Sequence, residues 1–229
     1  MSEVYFVRHG QASFSSENYD QLSELGHQQA QLLGEHFATQ GLNFDRVIVG
    51  DMKRHQQTLD SIKQGMTLQN AQLLPKAQVY SKWNEFDFKQ LIKAFMQQFP
   101  VHQLNGQAKP TDYFKLLKLS LESWAAGELS HNMPEQWHEF EQRIIDMLNE
   151  LKNVNTKKRV LVVSSGGTIA MALSIILQAP AQTMVRLNLQ TRNTALSSCY
   201  FNASGFQLSQ FNALPHLNSL ERQQHITYF

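Results

Sequence analysis

An uncharged run of eighteen residues, VLVVSSGGTIAMALSIIL at 160–177, constrains the fold more than any other part of the sequence. The run is long enough to span a membrane, but the Ser-Ser-Gly-Gly-Thr segment at its centre divides it. The residues before this break predict a buried strand (159–165), and the residues after it predict a helix (168–177). A strand that passes into a helix through glycines is a common anion-binding junction in α/β proteins.

Composition narrows the possible classes of protein. At 229 residues, of which 42% are hydrophobic, the chain predicts one domain with an insertion. Twenty basic residues against nineteen acidic ones favour neither a nucleic-acid partner nor an anionic membrane, so any anion site must be local. The single cysteine, Cys199, excludes an internal disulfide framework and favours a reducing cytoplasm. The N-terminus lacks a signal-peptide pattern, so we expect the mature chain to start at Met1.

Alternating strands and helices predict a mainly parallel sheet. Strand patterns at 4–7, 44–50 and 78–83 alternate with helical patterns at 22–41 and 51–65. Helical patterns at 88–98, 111–125 and 134–152, separated by prolines, predict a helical insertion over the sheet edge at about 86–150. The C-terminal part adds strand-like segments at 184–189, 195–201 and 205–211.

Three of the predicted strands end near residues that suit an anion. Arg8 and His9 follow the first strand, Arg54 lies just beyond the second, and Ser165 with Gly166 follows the fourth. Because ligands of open α/β sheets bind outside the carboxyl ends of the strands, we expect these segments to converge. Arginine binds phosphate oxygens through two parallel hydrogen bonds, and backbone N–H groups after Gly166 would add to the site.

Two further residues predict a nucleophile and a general acid at this anion site. The imidazole of His9 can attack phosphorus to form a phosphohistidine, which divides hydrolysis into two easier steps. Glu85, at the end of the third strand, can protonate the leaving alkoxide and then activate water. Asp87 is a competing acid, but Glu85 is preferred because it lies closer to the strand end.

These segments resemble the histidine phosphatase superfamily, the phosphoglycerate mutase-like proteins. The resemblance rests on VYFVRHGQA, LSELGHQQAQLLG, DMKRHQQT, VLVVSSGGTIAMAL and FNALPHLN. It implies a three-layer α/β/α sandwich with His9 as phosphate acceptor, Arg8 and Arg54 as phosphate ligands and Glu85 as acid. It also implies that neither a metal nor another cofactor is required.

The sequence departs from the family pattern at Ser165, because the usual Ser-His-Gly-Gly is here Ser-Ser-Gly-Gly. Three hypotheses follow: Ser165 donates a neutral hydrogen bond in an active phosphatase, another histidine enters the site, or the protein binds phosphate with little turnover. A substitution made for study would also explain Ser165. The candidate histidines are His27, His55 and His216. We expect His55 to face solvent on its helix and His216 to make a structural hydrogen bond.

The favoured hypothesis is a cytoplasmic phosphomonoesterase that acts on a small phosphorylated substrate, without nucleic-acid or membrane partners. A phosphate- or phosphopeptide-binding protein of little or no activity is the alternative, and a scaffold that uses the aromatic insertion is a third. A mutase is disfavoured, because the sequence lacks an extended substrate-clamping motif. The substrate and the oligomeric state stay open.

Overall fold

The computed structural model describes residues 1–13, 20–69, 71, 73–104, 109–129, 133–153 and 157–228. Within them, six strands form one sheet: β1 (Ser2–Arg8), β2 (Arg46–Val49), β3 (Gln78–Val79), β4 (Arg159–Ser164), β5 (Leu196–Asn202) and β6 (Gly205–Ala213). The strand order is β3-β2-β4-β1-β5-β6, in which the first four strands are parallel and the last two are antiparallel additions. The parallel part places the ends of β1, β2 and β4 at one edge.

The helices of the described residues are α1 (Glu24–Thr39), α2 (Lys53–Leu68), α3 (Phe88–Gln98), α4 (Pro110–Ala125), α5 (Trp137–Lys152), α6 (Gly166–Ile176) and α7 (Ala181–Gln190). Side chains alternate between the two faces of the sheet. Phe6 therefore packs with α3 to α7, whereas the next residue, Val7, packs with α1 and α2. This arrangement confirms the predicted three-layer α/β/α sandwich with a mainly parallel sheet.

The helices of the predicted insertion pack on one face of the sheet. Buried side chains of α3, α4 and α5 share a core with strand residues; examples are Leu91, Leu121 and Phe140. Within this layer α5 contacts α6, and α4 contacts both α3 and α7. The insertion is thus continuous with the core of that face, whereas the sequence suggested a cover over the sheet edge.

Three local predictions need correction. The segment 184–189 belongs to α7 and is not a strand; its buried side chains, Met184 and Val185, pack in the same core as α3 to α6. The third strand is only Gln78–Val79, and a 3₁₀ turn at Ser81–Trp83 follows it. Helix α6 begins at Gly166, two residues earlier than its pattern indicated.

The long uncharged run is divided as predicted, into β4 and α6. In the part of the chain that the structure describes, no helix is both long and apolar enough to cross a membrane. Cys199 is 1% exposed on β5, and burial raises the pKa of its thiol to about 12. It therefore acts as a small buried hydrophobe.

Candidate active site

The ends of β1, β2 and β4 bring the predicted site segments together. In the parallel register, Arg8 pairs with Ser164 and Val49 pairs with Val163. The backbone N–H of His9 donates to the Ser164 carbonyl oxygen at 2.9 Å, so the pairing continues one residue beyond β1. The loop that carries His9 is thereby fixed against the loop that begins α6.

The imidazole of His9 is buried and held in one tautomer. Its Nδ1 lies 2.7 Å from the carbonyl oxygen of Gly10. Because a carbonyl oxygen can only accept a hydrogen bond, the neutral ring has its proton on Nδ1 and a lone pair on Nε2. Burial, and after it the charges of Arg54 and Arg8, hold the pKa of His9 well below its usual value. The ring is therefore neutral at neutral pH.

Arg54 is 3% exposed and is oriented by an ion pair. Its Nη1 donates to Oδ1 of Asp20 at 2.8 Å, and the other oxygen of Asp20 accepts the Lys53 backbone N–H at the start of α2. The Nη2 of Arg54 lies 3.4 Å from the Ser165 hydroxyl oxygen. Asp20 thus anchors one side of the guanidinium while the other side faces the start of α6.

Arg8 lies against the first residue of α6. A Cβ built on Gly166 would come within 3.3 Å of the Arg8 Nε and 3.0 Å of the Asn188 Oδ1. The Nη1 of Arg8 donates to the carbonyl oxygens of Thr191 and Tyr228, the latter at 2.8 Å. Backbone from the C-terminal part of the chain therefore fixes this guanidinium beside the helix start.

Glu85 reaches the N-terminus of α6. Its Oε2 accepts the Gly167 N–H at 2.9 Å, and its Oε1 accepts the Phe86 N–H at 3.3 Å. Burial raises the pKa of this carboxyl above its usual value, although the Gly167 N–H and nearby arginines act in the opposite direction. One backbone donor that the sequence assigned to phosphate is thus engaged by Glu85 instead.

Ser165 is fully buried, and its partner is His55. The expected solvent-facing position of His55 is wrong, because its ring is fully buried and its Nε2 lies 2.7 Å from the Ser165 hydroxyl oxygen. The ring centroid is 5.8 Å from that of His9. Gly50 leaves the necessary room, since a Cβ there would lie 2.2 Å from the His55 Nδ1.

The other candidates lie elsewhere. His27 contacts Ser61 between α1 and α2, with 2.9 Å between Nδ1 and Oγ. His216 is buried with its Nε2 2.9 Å from the Thr194 hydroxyl oxygen, which confirms the expected structural hydrogen bond. Asp87 is exposed and caps α3, so the structure brings Glu85, and not its competitor, to the start of α6.

Sequence reasoning missed the residues that support His9. The Thr58 hydroxyl accepts the Gly10 N–H at 3.0 Å, and the Asn193 amide donates to the His9 carbonyl oxygen at 3.1 Å. Both are distant in sequence and carry no local pattern that would reveal them. The contact between His55 and Ser165 was also missed. Its one signal in the sequence is that His55 directly follows Arg54 in a chain that lacks a histidine at 165.

The charge of the site suits an anion. Two guanidinium groups surround a neutral imidazole, and arginine recognises phosphate through paired hydrogen bonds. Among the described residues, no group of three or more His, Cys, Asp or Glu side chains is arranged to hold a metal ion.

Residues 4–214 match the sequence profile of the histidine phosphatase superfamily (branch 1). No curated protein sequence matches the chain significantly. Among solved structures, a phosphoserine phosphatase mutant from Entamoeba histolytica in complex with phosphoserine aligns with a TM-score of 0.66 at 17% identity, over 95% of this chain and 100% of that one.

Two other solved structures share the fold. A putative alpha-ribazole-5'-P phosphatase from Escherichia coli aligns with a TM-score of 0.63 at 19% identity, over 93% of this chain and 98% of that one. A phosphoglycerate mutase from Bacillus anthracis aligns with a TM-score of 0.64 at 16% identity, over 94% of each chain.

Proposed function

Because the chain belongs to the histidine phosphatase superfamily (branch 1), we propose that it is a phosphomonoesterase acting through a phosphohistidine on His9. The observation that carries the proposal is the state of His9: a buried neutral ring whose Nδ1–H is engaged by the Gly10 carbonyl oxygen. This leaves the Nε2 lone pair available for attack on phosphorus. Arg8 and Arg54 supply the positive charge that the transferring phosphoryl group requires.

In the first step, the Nε2 of His9 forms a bond to phosphorus while the phosphorus–oxygen bond of the ester breaks. The departing alkoxide takes a proton from Glu85, whose raised pKa favours the protonated carboxyl. In the second step, water gives a proton to the Glu85 carboxylate and attacks phosphorus. The phosphorus–nitrogen bond then breaks, releasing inorganic phosphate and restoring His9.

The proposal is tested by measuring phosphate release from a panel of small monoesters by wild-type protein and by His9→Ala. We expect turnover by the wild type and its loss in the variant. A short incubation with substrate labelled in the phosphoryl group, followed by alkaline quench and mass spectrometry, should locate the label on His9. Full activity in His9→Ala would refute this mechanism.

A phosphate-binding protein of little activity is the second candidate. The observation that favours it is that both Ser165 and its partner His55 are neutral, which leaves two arginines as the cations around His9. Calorimetric titration with inorganic phosphate and phosphopeptides, beside the turnover assay, separates the two functions. Tight binding without product at high protein concentration would favour the binding protein.

A further inference from the structure

The Ser165 hydroxyl does not perform the usual task of a serine at its position. Ser165 is the N-cap residue of α6, and the hydroxyl of such a serine normally accepts a backbone N–H of the first helical turn. The Ser165 side chain makes no such bond. Its oxygen instead lies 2.7 Å from the His55 Nε2 and 3.4 Å from the Arg54 Nη2.

The surroundings of His55 indicate which ring nitrogen carries its proton. Burial, with the charge of Arg54 as a second cause, holds the pKa of His55 well below its usual value, so the ring is neutral and has one N–H. Its Nδ1 is buried and has no hydrogen-bond partner among the described residues. A buried N–H without a partner is less favourable than a buried acceptor without one, which places the proton on Nε2.

This tautomer determines the direction of the serine proton. With Nε2–H of His55 and an N–H of Arg54 both donating to it, the Ser165 oxygen uses its two lone pairs as acceptors. The hydroxyl proton must then be given to a third group. An anion bound between the two arginines would provide that acceptor.

We propose that His55 is a positioning residue that directs the Ser165 O–H toward an oxygen of the transferring phosphoryl group. The pair thereby replaces, with a neutral donor, the second histidine that this superfamily usually has at position 165. His55 supplies direction and no charge, and it acts only through Ser165. This inference rests on the proposed function, because the acceptor is the phosphoryl group of that reaction.

The test compares kcat for p-nitrophenyl phosphate in Ser165→Ala, His55→Leu, His55→Gln and the double variant His55→Leu/Ser165→Ala. Removing one preorganised donor lowers kcat by roughly 100-fold, so we expect losses of about this size in Ser165→Ala and in His55→Leu. The double variant should be no slower than either single variant, because both changes remove the same hydrogen bond to substrate. A loss of kcat in the double variant that equals the product of the two single losses would overturn the proposal, as would full activity in His55→Leu.

Rescue separates this role from a structural one. The Gln side chain can place an N–H where the His55 Nε2 lies, so His55→Gln should keep kcat within about fivefold of the wild type, the value of one ordinary hydrogen bond. A kcat as low as that of His55→Leu in a folded His55→Gln would contradict the proposal. If His55→Leu does not fold, His55→Asn takes its place, because its amide reaches the Nδ1 position but not the Nε2 position.

Binding of inorganic phosphate, measured by calorimetry on the same variants, distinguishes a failure here from a failure of the proposed function. If the wild type turns over no substrate, the proposed function fails, and the Kd for phosphate tests the pair. The same pattern is then expected: equal, non-multiplying increases in Kd for Ser165→Ala and His55→Leu, with rescue in His55→Gln. Equal phosphate affinity in all variants, or no binding of phosphate by the wild type, would contradict the proposed role of His55 and Ser165.

Discussion

At the scale of single residues, burial shifts the pKa of the nucleophile and the pKa of the acid of the proposed reaction in opposite directions. It lowers the pKa of His9, which favours the neutral nucleophile, and it raises the pKa of Glu85, which favours the protonated acid. Each shift favours the form that the proposed first step needs, so the two forms occur together more readily than they would in the free side chains. The reaction needs this combination at its first step.

The first prediction concerns the pH dependence of kcat. Because the acid must be protonated for the first step, kcat should fall as pH rises through the raised pKa of Glu85. In Glu85→Gln this alkaline decline should disappear along with most of the activity. Asp87→Asn is the matched control: it changes an exposed carboxyl two residues away and should keep the decline. An unchanged alkaline decline in Glu85→Gln would assign it to another group.

The second prediction concerns the leaving group. A general acid matters most for a basic alkoxide, so Glu85→Gln should lower kcat for an alkyl phosphate by roughly 100-fold or more. The loss with p-nitrophenyl phosphate should be smaller, because p-nitrophenolate leaves without a proton. Steady-state rates with the two substrates provide the test. Equal losses with both substrates would mean that Glu85 acts by some means other than protonation.

At the scale of elements, the sequence revealed most where function and local pattern coincide. The ends of β1 and β4 and the start of α6 were recognisable because Arg8, His9 and Gly166 interrupt apolar runs. The position of His55 depends on how the start of α2 packs beneath Gly50, which no local pattern shows. The strand expected at 184–189 failed because an apolar segment this short fits either element type.

The third prediction tests the contact between Glu85 and α6. A Cβ at Gly167 would lie 2.5 Å from the Glu85 Oε1 and 2.4 Å from the Phe86 Cε1, so Gly167→Ala should push the carboxyl from its place. We expect kcat for an alkyl phosphate to fall by about tenfold or more, with a loss of roughly 1–3 kcal/mol in the free energy of unfolding.

Ala172→Gly is the control for this change. It lies in the same helix and is fully buried, but it is more than one helical turn beyond Gly167, whose N–H contacts Glu85. It should weaken α6 by about 1 kcal/mol through helix propensity. Urea denaturation and kcat are measured for both variants. If Ala172→Gly lowers kcat as much as Gly167→Ala does, the activity loss comes from helix stability and not from displaced Glu85.

At the scale of the whole molecule, the fold holds three of the histidines that the structure describes in a neutral, buried state. His9, His55 and His216 all have a pKa below the usual value, with burial as the first cause in each. Two of them belong to the site, and the third supports the Thr194 segment, whose N–H lies 3.1 Å from the Arg8 carbonyl oxygen. A sufficiently low pH therefore protonates histidines both in the site and in the fold that supports it.

The fourth prediction follows from His216, whose pKa is lowered to about 3 by burial and by nearby His36 and Arg222. Between about pH 6 and pH 3 the unfolded chain binds a proton at this residue that the folded chain does not, so the free energy of unfolding falls as pH falls. One such residue contributes a slope of about 1.4 kcal/mol per pH unit.

The variant His216→Gln tests this slope, because its side chain does not titrate and its amide can still contact the Thr194 hydroxyl. Urea denaturation between pH 4 and pH 6 should show a shallower slope by about that amount; an unchanged slope would mean that His216 is already protonated in the folded protein.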